Sequence, residues 1–364
     1  MPNFDIIRKS QPQKSFRVAS VMGTFDLQDN QIQEHFVGNI DLNDDWQIGL
    51  IVGNSGTGKT TIVKELFHDA YVTKFEYKSE SVLDDMPKNK SVEEITRTFS
   101  SVGFASVPSW LKSYEVLSNG EKMRVDLARA ILEDNDFFVF DEFTSVVDRN
   151  VAKIGSFAMQ KAIRRTKKKF IAVTCHFDVE DWLLPDWVFD TNSMTFRKSD
   201  GQKKNKPECE LRIYETKAKD YYWRIFGKHH YLSHSHNNAA RVFIATLNGD
   251  LCAFESILPF PHPVKKNFWK GHRSIVLPDF QGLGITMVMT RFICKLLKSE
   301  GKGYITTSSH PTYIHILKKC KDFRCTRIGR KCSGSGSGKI QNKYKKGSIS
   351  SARITASFEY IGKN

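Results

Sequence analysis

At 364 residues the chain is long enough for two domains of ordinary size, each with its own core. It carries 55 Lys and Arg against 40 Asp and Glu, a formal net charge of +15 and a sequence pI near 9.4, which points to a polyanionic partner, nucleic acid before an anionic membrane surface. No run approaches the ~18 apolar residues of a membrane span, and the opening MPNFDIIRKSQPQKSF lacks the apolar core of a secretory signal, so a cytoplasmic protein without a membrane span is expected. The seven cysteines, at 175, 209, 252, 294, 320, 325 and 332, are odd in number and scattered, as reduced thiols are.

In chain order, residues 15–47 alternate apolar and polar positions (Phe16, Val18, Val21; Phe25, Leu27; then His35 to Ile40) and read as antiparallel strands. Ile48 to Val52 is a short apolar run, a buried strand, and it ends in Gly53, Asn54, Ser55, Gly56, Thr57, Gly58, Lys59 and Thr60, a full match to the phosphate-loop pattern. Glycines there let backbone N–H groups turn inward around a phosphate chain. Lys59 reaches the terminal phosphates and Thr60 can ligate Mg²⁺, while the helix from Thr61 points its positive end at the anion. The chain is therefore expected to bind a nucleoside triphosphate. A helix around Ser91 to Phe99 opens on Ser91 and Glu94, a capping-box pattern.

Leu117, Ser118, Asn119, Gly120 and Glu121 precede a helix over Val125 to Leu132, and Phe137 to Phe140 is an apolar strand ending in Asp141 and Glu142. Two carboxylates at a strand end suit a nucleotide site: Asp141 for the metal shell, Glu142 to orient or deprotonate the attacking water. Thr144 to Asp148 follow, then a second buried strand, Phe170 to Thr174, running into Cys175 and His176. In this order the pieces resemble the ATP-binding cassette ATPases over about residues 15–196. The resemblance implies a Walker A loop at Gly53 to Thr60, a signature motif at Ser118 to Glu121, Walker B at Asp141 with Glu142 as catalytic carboxylate, Asp148 in the D-loop and His176 as the switch histidine. It also implies ATP and Mg²⁺ as ligands and a homodimer in which Ser118 and Gly120 of one subunit close over the other's γ-phosphate. Two departures stand out: Asn119 and Glu121 replace the family's Gly and Gln, and no glutamine loop is evident, Asp84 and Asp85 falling in that region.

Residues 197–219 are polar, charged and marked by Gly and Pro, and read as a linker or exposed hairpin between a first domain, 1–196, and a second, 220–364. The second is rich in aromatics and histidines, with Tyr221 to Phe226 followed by His229, His230 and Tyr231. Val242 to Leu247 and Leu251 to Ser256 flank an Asn248-Gly249 turn, a hairpin signal. His272 to Leu277, then Gln281, Gly282, Leu283, Gly284 and Ile285 ahead of an apolar helix, form a second strand-to-helix anion cradle suited to a pyrophosphate. This block resembles the GCN5-related N-acyltransferases (GNAT) over about residues 220–330. That implies an α/β domain with a mixed, mostly antiparallel sheet, and acetyl-coenzyme A held by Gln281, Gly282, Gly284 and Ile285. Thr286 occupies the third small-residue position, and Leu317 to Phe323 lacks the tyrosine that protonates the leaving thiolate in that family. His230, Tyr231, the Pro259 to Pro263 segment and the basic C-terminus with Tyr360 are similar to the Mom-type, phage-associated branch that modifies adenine in DNA. That makes His230 and Tyr231 catalytic candidates, with a packed structural cluster as the competing reading.

The expected whole is an α/β protein, an ABC-type phosphate-loop ATPase domain followed by a GNAT-like domain acting on nucleic acid. Two other classes compete: an acetyltransferase for protein or a small amine, and a transport ATPase subunit.

Overall fold

The structure, a computed structural model, describes residues 3–9, 15–26, 33–43, 45–72, 75–199, 209–230, 236–262, 264–330 and 354–362. In chain order the elements begin with β1 (Asn3–Lys9), α1 (Phe16–Thr24), β2 (Gln33–Asn39), β3 (Ile48–Val52), α2 (Lys59–Leu66), β4 (Tyr71–Val72), α3 (Val92–Ser101) and α4 (Val107–Trp110). They continue with α5 (Asn119–Leu132), β5 (Phe137–Phe140), α6 (Arg149–Ile163), β6 (Lys169–Thr174), α7 (Val179–Leu183), β7 (Trp187–Asp190) and β8 (Thr195–Lys198). Then come β9 (Leu211–Thr216), α8 (Lys219–Phe226), β10 (Arg241–Leu247), β11 (Asp250–Phe260), β12 (Phe268–Val276), α9 (Ile285–Ser299), β13 (Gly303–Ser308), α10 (Pro311–Lys319), β14 (Phe323–Arg330) and β15 (Ile354–Tyr360).

Two compact units share the chain: Met1–Lys78 with Ser118–Pro207, and Ser79–Leu117 with Glu208–Asn364. Both are α/β. The first holds a six-stranded sheet in the order β4-β5-β6-β3-β7-β8, parallel except for the β7–β8 hairpin, and a separate antiparallel β1–β2 pair. Because β3, β5 and β6 run parallel, the loops that leave them emerge along one sheet edge, the carboxyl edge where α/β sheets place their ligands. All five β3 residues are buried, as a strand covered on both faces requires.

The second unit holds a seven-stranded mixed sheet, β14-β15-β13-β12-β11-β10-β9, in which β12–β13 is the parallel pair and the others are antiparallel. One core cluster joins the sheet to α9 and α10 through Met289, Ile293, Leu297 and Leu317; another joins it to α8 through Phe226, Val242 and Phe254. The β12–β13 ladder covers only Phe268–Lys270 against Gly303–Ile305.

Three expectations are corrected. Residues 16–24 form a helix, not a strand: the apolar positions Val18, Val21 and Met22 fit helical spacing as well as alternation, and the Ser15 side chain caps the helix by accepting from the Val18 N–H. The stretch 197–219, read as a linker or exposed hairpin, includes the end of β8, which pairs with β7, and all of β9, which pairs with β10. Segment 79–117, read with the first domain, groups by contact with the second unit. There α3 carries the expected capping box, Ser91 Oγ accepting from Glu94 N and the Glu94 carboxylate from Ser91 N. Among the described residues no helix is long and apolar enough to cross a membrane.

Candidate functional site

The loop between β3 and α2 has the geometry of an anion cradle. Gly58 caps α2 at φ 84°, and a Cβ there would stand 2.4 Å from the Phe36 ring, so only glycine lets the loop close over that side chain. Asn192 Oδ1 accepts from Asn54 N at 3.0 Å, and the Thr57 and Thr191 hydroxyls are hydrogen-bonded, so the loop is braced from the end of β7. Lys59 folds back and donates to Gly53 O (2.8 Å) and Asn54 O (2.6 Å), and an anion entering the loop competes with these carbonyls for the ammonium. The Thr61 hydroxyl accepts from Arg8 Nη1 at 3.4 Å.

Across β6, the end of β5 delivers the carboxylates. Thr60 Oγ1 donates to Asp141 Oδ2 at 2.7 Å, which brings the two expected metal ligands together. Glu142 is exposed and left-handed (φ 54°), and Thr144 is left-handed too (φ 68°). Non-glycine residues in that region cost roughly 1 kcal/mol or more each, and the strain is held by Phe143, buried, with its N–H on Val173 O at 2.8 Å. The turn thus throws Glu142 outward at the carboxyl edge. His176 follows β6 on the same edge, its N–H on Thr174 Oγ1 at 3.2 Å. Arg149, at the start of α6, pairs with Asp178 and holds that carboxyl below its ordinary range.

Ser118, exposed, is the N-cap of α5 and closes a capping box with Glu121: Ser118 Oγ accepts from Glu121 N at 3.3 Å, and Glu121 Oε2 accepts from Ser118 N at 3.1 Å. Gly120 is the second residue of that helix. The departure Glu121 is therefore the N3 acid of a helix start, a role glutamine also fills. Asp148 caps α6, accepting from Asn150 N and Val151 N at 3.0 Å each. Asp85 accepts from Ser79 N (3.0 Å) and closes a turn in the second unit, and Asp84 lies in the same turn.

Sequence reasoning missed Tyr71, whose hydroxyl donates to Asp141 Oδ2 at 2.8 Å. No motif marks it. It arrives through the parallel register of β4 on β5, Tyr71 beside Val139 and Val72 beside Phe140.

In the second unit Gly282 (φ 87°) and Gly284 (φ 87°) wind the chain into α9, whose first residue, Ile285, is buried. Gln281 is engaged: its Oε1 accepts from Ala105 N at 2.7 Å and its Nε2 donates to Val276 O at 3.1 Å. Its amide thus fastens the loop to the end of β12 and to the segment between α3 and α4. His230 is buried with its ring tilted against Trp223 (centroids 6.2 Å), and Tyr360 stands edge-on to Phe323 (5.3 Å). Tyr231 lies outside the described residues. The Asn248-Gly249 turn has both residues at positive φ, 52° and 95°, as a two-residue hairpin needs.

Two polar groups here carried no sequence signal. His272 is the extra residue of a bulge, Ser256 pairing with Arg273 and Ile257 with Gly271; burial, with Arg273, His236 and Lys270 nearby, pushes its imidazole down to about 4. Glu255 on β11 is 1% exposed, takes the Thr290 hydroxyl on both oxygens (3.0 and 3.1 Å), and is pushed by burial up to about 8. Among the described residues no cluster of three His, Cys, Asp or Glu could hold a metal ion.

No family model and no curated protein matches the chain. Among solved structures it is similar to the dimeric structure of MJ0796, a bacterial ABC transporter cassette, at 16% identity over 43% of this chain and 87% of that one, TM-score 0.35. A post-hydrolysis dimer of the ATP-binding cassette MJ0796 with ADP and Pi bound aligns at 13% identity over 55% and 98%, TM-score 0.40. The ADP conformation of MJ1267, an ATP-binding cassette of an ABC transporter, aligns at 16% over 44% and 80%, TM-score 0.32.

Proposed function

We propose that the first unit binds Mg·ATP and hydrolyses it in the manner of an ATP-binding cassette, closing as a homodimer. The observation that carries this reading is the Thr60–Asp141 hydrogen bond: it joins a phosphate loop to the carboxylate end of β5, with Glu142 next in the chain. Bound Mg·ATP supplies a γ-phosphoryl group whose transfer needs positioning and charge neutralisation more than covalent chemistry. Lys59, released from Gly53 O and Asn54 O, neutralises phosphate charge. Thr60 and Asp141, joined at 2.7 Å, would hold the metal. Glu142, thrown outward by its left-handed backbone, orients the attacking water and accepts its proton. The exposed N-terminus of α5, with Ser118 and Gly120, offers the partner's phosphate an anion-binding helix end. The experiment is Glu142→Gln: ATP affinity persists, turnover falls by roughly 10²-fold or more, and a closed dimer accumulates. Turnover at the parent rate removes Glu142 from this role.

For the second unit the reading is an acyltransferase of the GCN5-related kind that takes an acyl-coenzyme A donor and modifies nucleic acid. Supporting it are the two left-handed glycines, Gly282 and Gly284, that lead into the N-terminus of α9, and Gln281 Nε2 donating to Val276 O, which ties that turn to the end of β12. The net charge of +15 favours a nucleic-acid acceptor over a small amine. Residues 317–323 offer no tyrosine for the leaving thiolate, so that proton comes from elsewhere in this unit.

A further inference from the structure

The carboxylate at the end of β5 is more fully engaged than the phosphate-loop motif requires. Asp141 Oδ1 accepts from Glu142 N at 2.8 Å. Oδ2 accepts two hydroxyls, Thr60 Oγ1 at 2.7 Å and Tyr71 OH at 2.8 Å. An ionised carboxylate has about four lone-pair directions, so three donors leave about one open. A threonine hydroxyl has one proton and two lone pairs, and Thr60 can keep donating to Asp141 while its oxygen faces a cation. Oδ2 is filled by the two hydroxyls, so the open direction lies on Oδ1, and it keeps its aim only while the carboxylate does not rotate.

Tyr71 prevents that rotation. Its backbone is fixed by the parallel ladder to β5, two residues back from Asp141 on the neighbouring strand, and its ring packs against the first unit's core. Lys64 Nζ lies 5.1 Å from the ring centroid on the exposed side. The phenolic O–H is aimed at Asp141 Oδ2, its acceptor at 2.8 Å. We infer that Tyr71 is a positioning residue for the nucleotide-bound Mg²⁺, holding Asp141 in the one orientation that leaves a lone pair for the metal or its water. The inference rests on the Mg·ATP reading above.

The test uses the full chain and a fluorescent ATP analogue, titrated in EDTA and at graded Mg²⁺, with Mn²⁺ paramagnetic resonance as a direct metal readout. Tyr71→Phe keeps the ring and its packing, and melting curves check the fold. Expected is unchanged nucleotide affinity in EDTA with a roughly 10- to 100-fold rise in the Mg²⁺ midpoint and a broadened Mn²⁺ site, the range for loss of a group that orients a ligand. In an Asp141→Asn background the same change shifts nothing further, because Tyr71 acts through that carboxylate. A Tyr71→Phe midpoint equal to the parent's overturns the inference and leaves the nucleotide reading standing. So does equal weakening in EDTA and in Mg²⁺, which marks a packing role alone. A parent chain that binds the analogue no better with Mg²⁺ than in EDTA overturns both.

Discussion

Glu255→Gln isolates the energetic consequence of burying a carboxyl under α9. The side chain is 1% exposed and faces neutral partners on every packed element: Thr290 and Cys294 on α9, Tyr304 on β13 and Tyr313 on α10, the last 3.2 Å from the Thr290 hydroxyl. Among the described residues no cation compensates it, and burial lifts its pKa from an ordinary 4.5 to about 8. In the folded chain the group holds its proton below about pH 8; unfolded, it loses it above about 4.5. Through that window the native state binds more protons than the unfolded one, so stability falls as pH rises. Each pH unit costs about 1.4 kcal/mol, roughly 5 kcal/mol across the whole window, an upper figure because water entering an opened core relieves part of it. Glutamine keeps the shape and an acceptor for Thr290 without ever ionising. Unfolding of a two-unit chain is not a single transition, so the assay is hydrogen exchange of the β11 amides, corrected for intrinsic rates, between pH 5 and pH 8.5. The parent loses β11 protection on going to pH 8.5 and the variant keeps it. The same loss in both would refute the assignment of the pH dependence to Glu255.

Two further outcomes test the remaining sites. Glu121→Gln keeps the capping box but removes a negative charge beside the phosphate that a partner subunit presents in the proposed dimer; in a Glu142→Gln background ATP-driven dimerisation, followed by sedimentation, should tighten by roughly tenfold, about 1.4 kcal/mol. An unchanged midpoint means the carboxylate faces no phosphate. Gly284→Asp forces a side chain into φ 87° and puts a carboxylate at the α9 N-terminus, so calorimetric coenzyme A binding should vanish while ATP turnover persists; binding that survives rules this turn out as the cradle.

What the sequence revealed and what it hid divide along the range of the interactions. The phosphate loop, the Ser91 capping box and the Asn248-Gly249 turn were readable because each is decided within a few residues by backbone sterics and local hydrogen bonds. The helix at 16–24 was misread because its apolar spacing satisfies two periods at once, and the deciding bond is one serine cap. Tyr71 was invisible since its hydroxyl meets a carboxylate 70 positions away through a two-residue ladder. The allegiance of 79–117 was hidden for the same reason, resting on pairs such as Gln281 with Ala105, 176 positions apart.

That interleaving bears on how the protein is made. Segment 79–117 leaves the ribosome before the second half of the first unit and well before the rest of its own. Ser100 waits 212 positions for the Thr312 hydroxyl, and Trp110 waits nearly as long for the ring of His310, against which it sits at 5.5 Å. Non-local closure of that length is slow, and until it happens the segment is a nascent piece without its partners, the kind of surface that chaperones cover. A truncation after residue 207 makes the same condition permanent. The first unit is therefore better excised by replacing 79–117 with a short Gly/Ser bridge from Lys78 to Ser118 than by cutting the chain at its apparent linker.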